Sequence, residues 1–306
     1  MNKIIDRKKS REGDSGAALE TIISQRLIEH KHITPTNRCI RKQKTDEAAI
    51  NRIDVSLKEQ FENAANKIVE FIEEKLINEE EYEIDRTNDN DESVEDIVLQ
   101  SKSKKINFSI KHNNDSIKHN RPFSLISNGL GFQKNSVEDI DHRKRLMHVC
   151  DQFRKNFPSA TKFSDLTMKA KEDLYYQLMN ECRNSLLKYN KFPDAVESLF
   201  NFIMGKDYIK IKVETFRKKN NFKILYEDFR DEAIKPKSFE VTKTWKGERK
   251  GNACASWNFE IVFDNGYKFT HRIHNGSSRI SQKYNTQLAM KFDVKFAKDS
   301  VKGKVI

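Results

Sequence analysis

The apolar residues of the chain recur with two periods, one helical and one of strict alternation, which together predict a mixed α and β fold. Gly16–Lys31 is predicted to be a helix whose apolar stripe consists of Leu19, Ile22, Ile23 and Leu27. The polar segment Thr34–Asp54 is predicted to be mainly loop, with another helix starting at Asp46–Asn51. A long helix is expected next, opened by a capping box of Ser56 with Glu59.

Alternation of apolar and polar residues predicts a strand hairpin further along. A strand beginning at Ile106 carries Ser109 and Lys111 on its polar face. Glu95–Gln100 is predicted to be the partner strand, with a polar turn of Ser and Lys residues between the two. The hairpin therefore puts Asp96 near one end of its strand and Lys111 on the neighbouring strand.

The pentapeptide Ser-Ile-Lys-His-Asn occurs twice, at Ser109–Asn113 and at Ser116–Asn120, and Arg121 follows the second copy. Its Lys, His and Asn side chains, like that of Arg121, donate hydrogen bonds. The repeat is therefore predicted to direct donors at anionic oxygen.

Three helices are predicted next, at about 139–157, 168–189 and 193–204, with no chemistry assigned to them. From Asp207 onward the alternation predicts strands and an antiparallel sheet with one buried and one polar face. Asp264-Asn-Gly266 is a strong hairpin turn signal, after which Arg272 and His274 share the polar face. The fold class is thus α/β (α+β), in regions 1–135 (N-terminal helices and hairpin), 136–206 (helical layer) and 207–306 (antiparallel β region), or one continuous domain.

Composition and charge indicate which class of molecule the protein binds and where in the cell it is expected. The formal net charge of +11 and pI near 9.3 favour a polyanion, although a Lys-rich chain from an AT-rich genome would give the same balance. The acidic stretch Glu79–Asp96 is predicted to be a solvated loop, the alternative being a screen in front of a metal site. Four scattered cysteines fit reduced thiols, and no apolar run suits a leader or a membrane span, so a cytoplasmic protein without membrane association is expected.

The hairpin is similar to the metal site of the PD-(D/E)xK nucleases, in which an Asp begins one strand and (Asp/Glu)-x-Lys lies on the next. Carboxylates there hold Mg²⁺ beside the scissile phosphate, and the lysine positions or helps deprotonate water. Ser109 stands where the second acid is expected. Glu20, at the rim of the first predicted helix, is the candidate to supply that acid; Glu95, Asp115 or another acid is the alternative. Structural zinc is disfavoured, because the histidines lack a Cys or carboxylate at supporting spacing.

Longer matches point to one family. Ser109–Arg121 resembles the Ser-x-Lys-His-Asn-His…Lys-His-Ser-Arg segment of the HaeIII-type restriction endonucleases. Gly16–Glu20 and Val94–Leu99 are similar to its Gly-x-Ala-Phe-Glu and Val-Arg-Asp-Val-Leu segments. Arg272–Ser278 with Leu288–Asp293 resembles its Arg-Ile-His-Asn-Ala-Ser followed by Leu-Lys-Phe-Asp. The matches fall in the family's order and span roughly residues 16–295, with Asn114 departing from the family's His.

The resemblance implies a type II restriction endonuclease that uses Mg²⁺ to hydrolyse unmethylated double-stranded DNA at GGCC. It also implies a partner cytosine DNA methyltransferase, and a palindromic target favours a homodimer at least on DNA. The catalytic residues expected are Glu20, Asp96, Ser109 and Lys111, of which Glu20 and Asp96 hold the metal. The DNA-binding residues expected are His112, Asn113, Lys118, His119, Arg121, Arg272, His274, Asn275, Ser277 and Ser278.

Two other classes of function remain open at this level. One is a basic sequence-specific DNA-binding protein without activity, for which Ser109 in place of an acid is the evidence. The other is a structure-specific or RNA nuclease with the same core.

Overall fold

The computed structural model describes residues 13–29, 32–78, 80–87, 94–114, 117–205, 207–216, 221–230, 235–249, 252–300 and 304–305. In chain order the elements are α1 (Asp14–Ile28), β1 (Ile33–Pro35), α2 (Asn37–Ile50), α3 (Val55–Lys75), β2 (Tyr82–Arg86), β3 (Ile97–Gln100), β4 (Lys105–His112), β5 (Lys118–Asn120), α4 (Val137–Asn156), α5 (Met168–Tyr189), α6 (Pro193–Met204), β6 (Tyr208–Phe216), β7 (Asn221–Asp228), β8 (Phe239–Arg249), β9 (Asn252–Phe263), β10 (Lys268–Asn275), β11 (Met290–Phe296) and β12 (Lys304–Val305). The fold is therefore mixed α and β, as the two periods predict.

The chain divides into two compact units, each assembled from separated stretches. Unit 1 contains Met1–Asp115, Gly205–Glu232 and Gly303–Ile306; unit 2 contains Ser116–Met204 and Ala233–Lys302. The predicted regions differ from this division, because β6 and β7 pair with the N-terminal hairpin and not with the C-terminal sheet. Long-range strand pairing decides this, and local alternation carries no information about it.

Unit 1 is built on a seven-stranded sheet of order β1-β2-β3-β4-β6-β7-β12. Its β1–β2 and β4–β6 pairs are parallel, and the other pairs are antiparallel. The predicted hairpin is confirmed as β3 and β4, with Ile97 opposite Phe108. The apolar residues of β4 join one core with those of α1 and α3, among them Ile110, Leu19 and Phe61. Burial of this apolar face leaves Ser109 and Lys111 on the other face of β4.

Three local predictions in unit 1 are wrong. A helix, α2, fills much of the predicted loop, and the Thr36 side chain caps it by accepting from Cys39 N. The cap of α3 is Asp54, which accepts from Leu57 N, and not Ser56 with Glu59. The predicted acidic loop contains β2, where Tyr82, Ile84 and Arg86 alternate as buried residues between acidic neighbours.

Unit 2 is built on the five-stranded antiparallel sheet β5-β11-β10-β9-β8. The predicted turn between β9 and β10 is confirmed, and Gly266 takes the positive φ of 89° that such a turn needs. The three predicted helices are confirmed as α4, α5 and α6. Phe200 of α6 packs against Phe263 and Phe269 of the sheet's apolar face. Among the described residues, none of the helices is long and apolar enough to cross a membrane.

Candidate functional site

Asp96 and Lys111 form an ion pair at the end of the β3–β4 hairpin. Asp96 immediately precedes β3, and its backbone N–H donates to Phe108 O at 2.7 Å. Asp96 Oδ2 accepts from Lys111 Nζ at 3.0 Å and from the backbone N–H of Ile110 at 2.7 Å. The Ser109 hydroxyl also donates to this oxygen, at 3.4 Å. Three donors thus fix one oxygen of the carboxylate and orient the group.

A second carboxylate, Glu20 of α1, is held by the buried Arg86 of β2. Arg86 Nη2 donates to Glu20 Oε2 at 2.9 Å and to Asp46 Oδ2 of α2 at 3.0 Å, and Nη1 donates to Thr21 Oγ1 at 2.8 Å. The Arg86 side chain is fully buried, so its charge is compensated by these partners and not by water. One guanidinium therefore ties α1 and α2 to the sheet at the position of Glu20.

Glu20 interacts electrostatically with both members of the Asp96–Lys111 ion pair. Burial raises the pKa of Glu20 to about 7, and the Asp96 carboxylate adds to this increase. Arg86 and Lys111 act in the opposite direction by stabilising the ionised form. Near neutral pH Glu20 is therefore partly protonated, and a cation beside it would favour its ionised form.

The donor set fits a hard divalent cation. Within the described chain, neither Glu20 Oε1 nor Asp96 Oδ1 receives a hydrogen bond. Each carboxylate thus keeps one oxygen for a ligand. No group of three or more His, Cys, Asp or Glu residues in the described part is placed to hold a metal. Mg²⁺ commonly uses one or two protein carboxylates and takes its remaining ligands from water and phosphate, so two oxygens suffice.

Ser109 does not take the place of a metal ligand. It is 1% exposed, and its hydroxyl is directed at Asp96 Oδ2. The side chain is therefore suited to orienting Asp96, and the other carboxylate that interacts with Asp96, Glu20, belongs to α1.

The polar face of the seven-stranded sheet also carries two lysines that the sequence did not reveal as neighbours of this site. Because β6 runs parallel to β4, Lys210 lies opposite Ser109 and Lys212 opposite Lys111. Lys210 pairs with Glu227 at 3.1 Å and Lys212 with Glu214 at 2.6 Å. In the sequence, Lys210 and Lys212 alternate with Ile209 and Ile211, which indicates that both lysines lie on the polar face. Nothing in the sequence indicates that β6 pairs with β4.

His112 and Asn113 hold the end of β4 against β6. The His112 ring lies edge-on to Phe61 of α3 with centroids 4.8 Å apart, and Nε2 is 2.9 Å from Thr215 Oγ1. Asn113 takes a positive φ of 49° and accepts from Thr215 N at 3.0 Å. Both residues, predicted to bind DNA, are thus engaged in contacts within the unit.

The second copy of the pentapeptide belongs to unit 2. Its strand β5 pairs with β11, with His119 opposite Asp293 and Lys118 opposite Val294. The side chains of Lys118 and His119 lie outside the described part of the structure, as does Asp115. Arg121, just after β5, is exposed.

The remaining predicted DNA contacts are also in unit 2. Arg272 Nε donates to Ser256 Oγ at 3.0 Å, and His274 Nε2 is 2.8 Å from Asp293 Oδ2. Both lie on the polar face of β10, as alternation predicts, while His271 is buried on the other face.

The turn after β10 is held by its own hydrogen bonds. Asn275 Oδ1 accepts from Tyr175 Oη at 3.2 Å, and its Nδ2 donates to Ser277 O at 2.9 Å. Ser277 Oγ accepts from Arg279 N at 3.2 Å, and Ser278 is exposed. Asn275 and Ser277 therefore shape the turn.

Comparison with known proteins adds one distant relative. The chain is 25% identical over 165 residues to "Uncharacterized protein R607" of Acanthamoeba polyphaga mimivirus, a match that covers 54% of this chain and 54% of that protein. The chain thus matches about half the length of this relative, whose name states no activity. No protein-family model matches the chain, and no solved structure matches it.

Proposed function

We propose that the protein is a Mg²⁺-dependent endonuclease that hydrolyses phosphodiester bonds of unmethylated double-stranded DNA. The observation that carries the proposal is the ion pair of Lys111 and Asp96 on adjacent strands, 3.0 Å apart, with the Glu20 carboxylate beside it. Two acids and a lysine, contributed by a strand hairpin and the helix α1, form the combination that metal-assisted phosphodiester hydrolysis uses.

Each residue of this cluster has a role that follows from its contacts. Asp96 and Glu20 would each offer one oxygen to Mg²⁺, which supplies charge stabilisation at the phosphate and lowers the pKa of water. Lys111 holds a positive charge 3.0 Å from Asp96, where it can orient a water or stabilise phosphate charge. Ser109 and the Ile110 N–H keep Asp96 in place. Arg86 does the same for Glu20.

Double-stranded DNA is the proposed substrate because of the net charge of +11 and the polar face of β10 with Arg272 and His274. The resemblance to HaeIII-type enzymes supports the finer parts of the proposal. These are recognition of GGCC, a homodimer on DNA, and a partner cytosine methyltransferase that protects host DNA.

The test is digestion of a plasmid of known sequence with Mg²⁺, followed by mapping of the fragment ends. Discrete fragments with ends within GGCC are expected, together with resistance of a plasmid methylated at the cytosines of GGCC. The Lys111→Ala protein and reactions with Ca²⁺ are the matched controls, and neither should yield fragments.

Each other result assigns a different function. Specific duplex binding without cleavage under any Mg²⁺ concentration would support a DNA-binding protein without activity. Cleavage confined to RNA or to branched DNA would support the structure-specific or RNA nuclease.

A further inference from the structure

The polar face of the five-stranded sheet carries one continuous row of side chains across four strands. Trp245 of β8 lies opposite Asn258 of β9, Asn258 opposite Arg272 of β10, and Arg272 opposite Asp293 of β11. Directly opposed residues of an antiparallel sheet point to the same face. The other face of this sheet, which includes Phe263, packs against α6.

The two acidic side chains in the middle of this face are largely buried, whereas basic ones reach solvent. The side chains of Glu260 and Asp293 are 7% and 16% exposed, whereas those of Lys243 and Lys291 are 66% and 30% exposed. Lys295, opposite Thr270, is partly exposed as well. Two exposed acids lie at one end of the face, Glu240 of β8 opposite Val262, and Asp299, which pairs with Lys268 at 2.6 Å. Away from that end, the outer layer of the face is positively charged.

Trp245 adds an apolar contact to this basic layer. It is one of the two tryptophans of the chain, with Trp257. Its side chain is 37% exposed and lies beside Asn258. With the Asn258 amide oriented to satisfy its neighbours, its oxygen accepts from the Trp245 indole N–H at 3.3 Å. The polar atom of the indole is thereby satisfied within the sheet, so the exposed remainder of the ring is hydrocarbon.

We infer that this face binds duplex DNA, with Trp245, Lys291 and Lys295 at the DNA backbone and Arg272 between them at the base edges. The inference rests on the proposed function and adds to it the surface that holds the substrate. Lys291 and Lys295 are four residues apart on one strand, about 13 Å by the rise of a strand. This span is close to the width of the major groove, about 12 Å, so the two lysines match phosphates on its two sides. Trp245, at the β8 end of the row, packs against deoxyribose.

The first test reads the environment of Trp245 directly. Trp257 packs against Tyr176 with ring centroids 4.8 Å apart, on the opposite face. In a Trp257→Phe protein, Trp245 is the single tryptophan. Titration with a duplex containing one GGCC site, in EDTA, is expected to change its fluorescence with saturation. The matched Trp245→Phe protein, which retains Trp257, should bind the duplex by anisotropy without a change in its tryptophan signal.

The second test measures the salt dependence of binding. Lys291→Gln with Lys295→Gln is expected to weaken duplex binding roughly tenfold and to lower the slope of log affinity against log salt by about 2, one for each phosphate contact. The control is Lys169→Gln with Lys188→Gln on α5, which removes the same charge from exposed positions. The control should leave the slope unchanged.

The possible outcomes distinguish a failure of the proposed binding surface from a failure of the proposed hydrolysis. Duplex binding with an unchanged Trp245 signal and an unchanged salt slope would overturn the surface and leave the endonuclease proposal intact. Tighter binding to single-stranded DNA or RNA than to duplex would overturn the choice of partner. A saturating Trp245 signal with duplex in a protein that never cleaves would support the surface and contradict the endonuclease.

Discussion

Each of the two sheets has an apolar face packed against helices and a polar face on which a basic side chain pairs with an aspartate. In the seven-stranded sheet the pair is Lys111 with Asp96, and in the five-stranded sheet it is His274 with Asp293. The seven-stranded sheet differs because a second carboxylate, Glu20 of α1, interacts electrostatically with both members of the pair. The added negative charge is what would favour a cation at the seven-stranded sheet.

The two copies of Ser-Ile-Lys-His-Asn also allow the two sheets to be compared, because one copy lies in each sheet. The first copy lies on the central strand β4 beside Asp96, and the second lies on the edge strand β5, where Lys118 is opposite Val294. The isoleucine is 3% exposed in both copies, at Ile110 and Ile117. Identical residues therefore meet different neighbours, and the neighbours decide whether the lysine can take part in chemistry.

Replacement of the lysine in the first copy is expected to have the largest effect, and replacement of the lysine in the second copy is its control. Lys111→Ala should lower the single-turnover cleavage rate roughly 10²–10⁴-fold, because the group that orients water and stabilises charge is lost. Lys118→Ala should leave the rate at saturating protein unchanged and at most weaken DNA binding. Normal cleavage by the Lys111→Ala protein would remove this residue from the mechanism.

Loss of the helix-borne acid is expected to have the next largest effect. Glu20→Gln should raise the Mg²⁺ concentration needed for half-maximal cleavage on the order of 10–100-fold, since one anionic ligand is gone. Glu62→Gln on α3 is the matched control. The substitution removes the same charge, but Glu62 pairs with Lys58 of its own helix, and that helix is not the one that carries Glu20. If Glu20→Gln cleaves like the unaltered protein, Glu95, Asp115 or another acid must supply the second carboxylate.

On the five-stranded sheet, Arg272→Ala should reduce binding to the cognate duplex by about 1–3 kcal/mol and binding to unrelated duplex much less. The reason is that a guanidinium can bond O6 and N7 of guanine together. Competition titrations at fixed salt measure both affinities. Equal losses on the two duplexes would identify Arg272 as a phosphate contact.

The buried histidine of the five-stranded sheet predicts a pH effect on stability. His271 stacks on Phe259 with ring centroids 4.8 Å apart, and burial lowers its pKa to about 3, below the ordinary 6.5. Between these values the unfolded chain binds the additional proton, so the free energy of unfolding should fall as pH decreases, by about 1.4 kcal/mol per pH unit. Urea unfolding from pH 6.5 to 4 should show a shallower decrease for His271→Leu. Equal slopes for the two proteins would show that His271 does not titrate in this range.

Much of the fold could be predicted from local pattern, and the failures have physical causes. The β3–β4 hairpin and the Asp264-Asn-Gly266 turn follow from alternation and turn chemistry, which are local. The strand β2 was hidden because acidic residues on its solvent side dominate the composition of Glu79–Asp96. The contacts of Arg86 and the pairing of β6 with β4 depend on residues far apart in the chain. Tertiary packing fixes such contacts, and no periodicity encodes them.

The parallel pairing of β4 with β6 has a consequence for synthesis of the protein. Lys111 and its partner Lys212 are separated by all three helices of unit 2, so β4 acquires its second neighbour only after those helices have been made. Until then the nascent chain exposes the backbone donors and acceptors along one edge of β4, a template on which another chain can add a strand. A fragment ending at Met204 is therefore expected to aggregate during expression where the full chain does not, with the strand that carries Lys111 as the point of association.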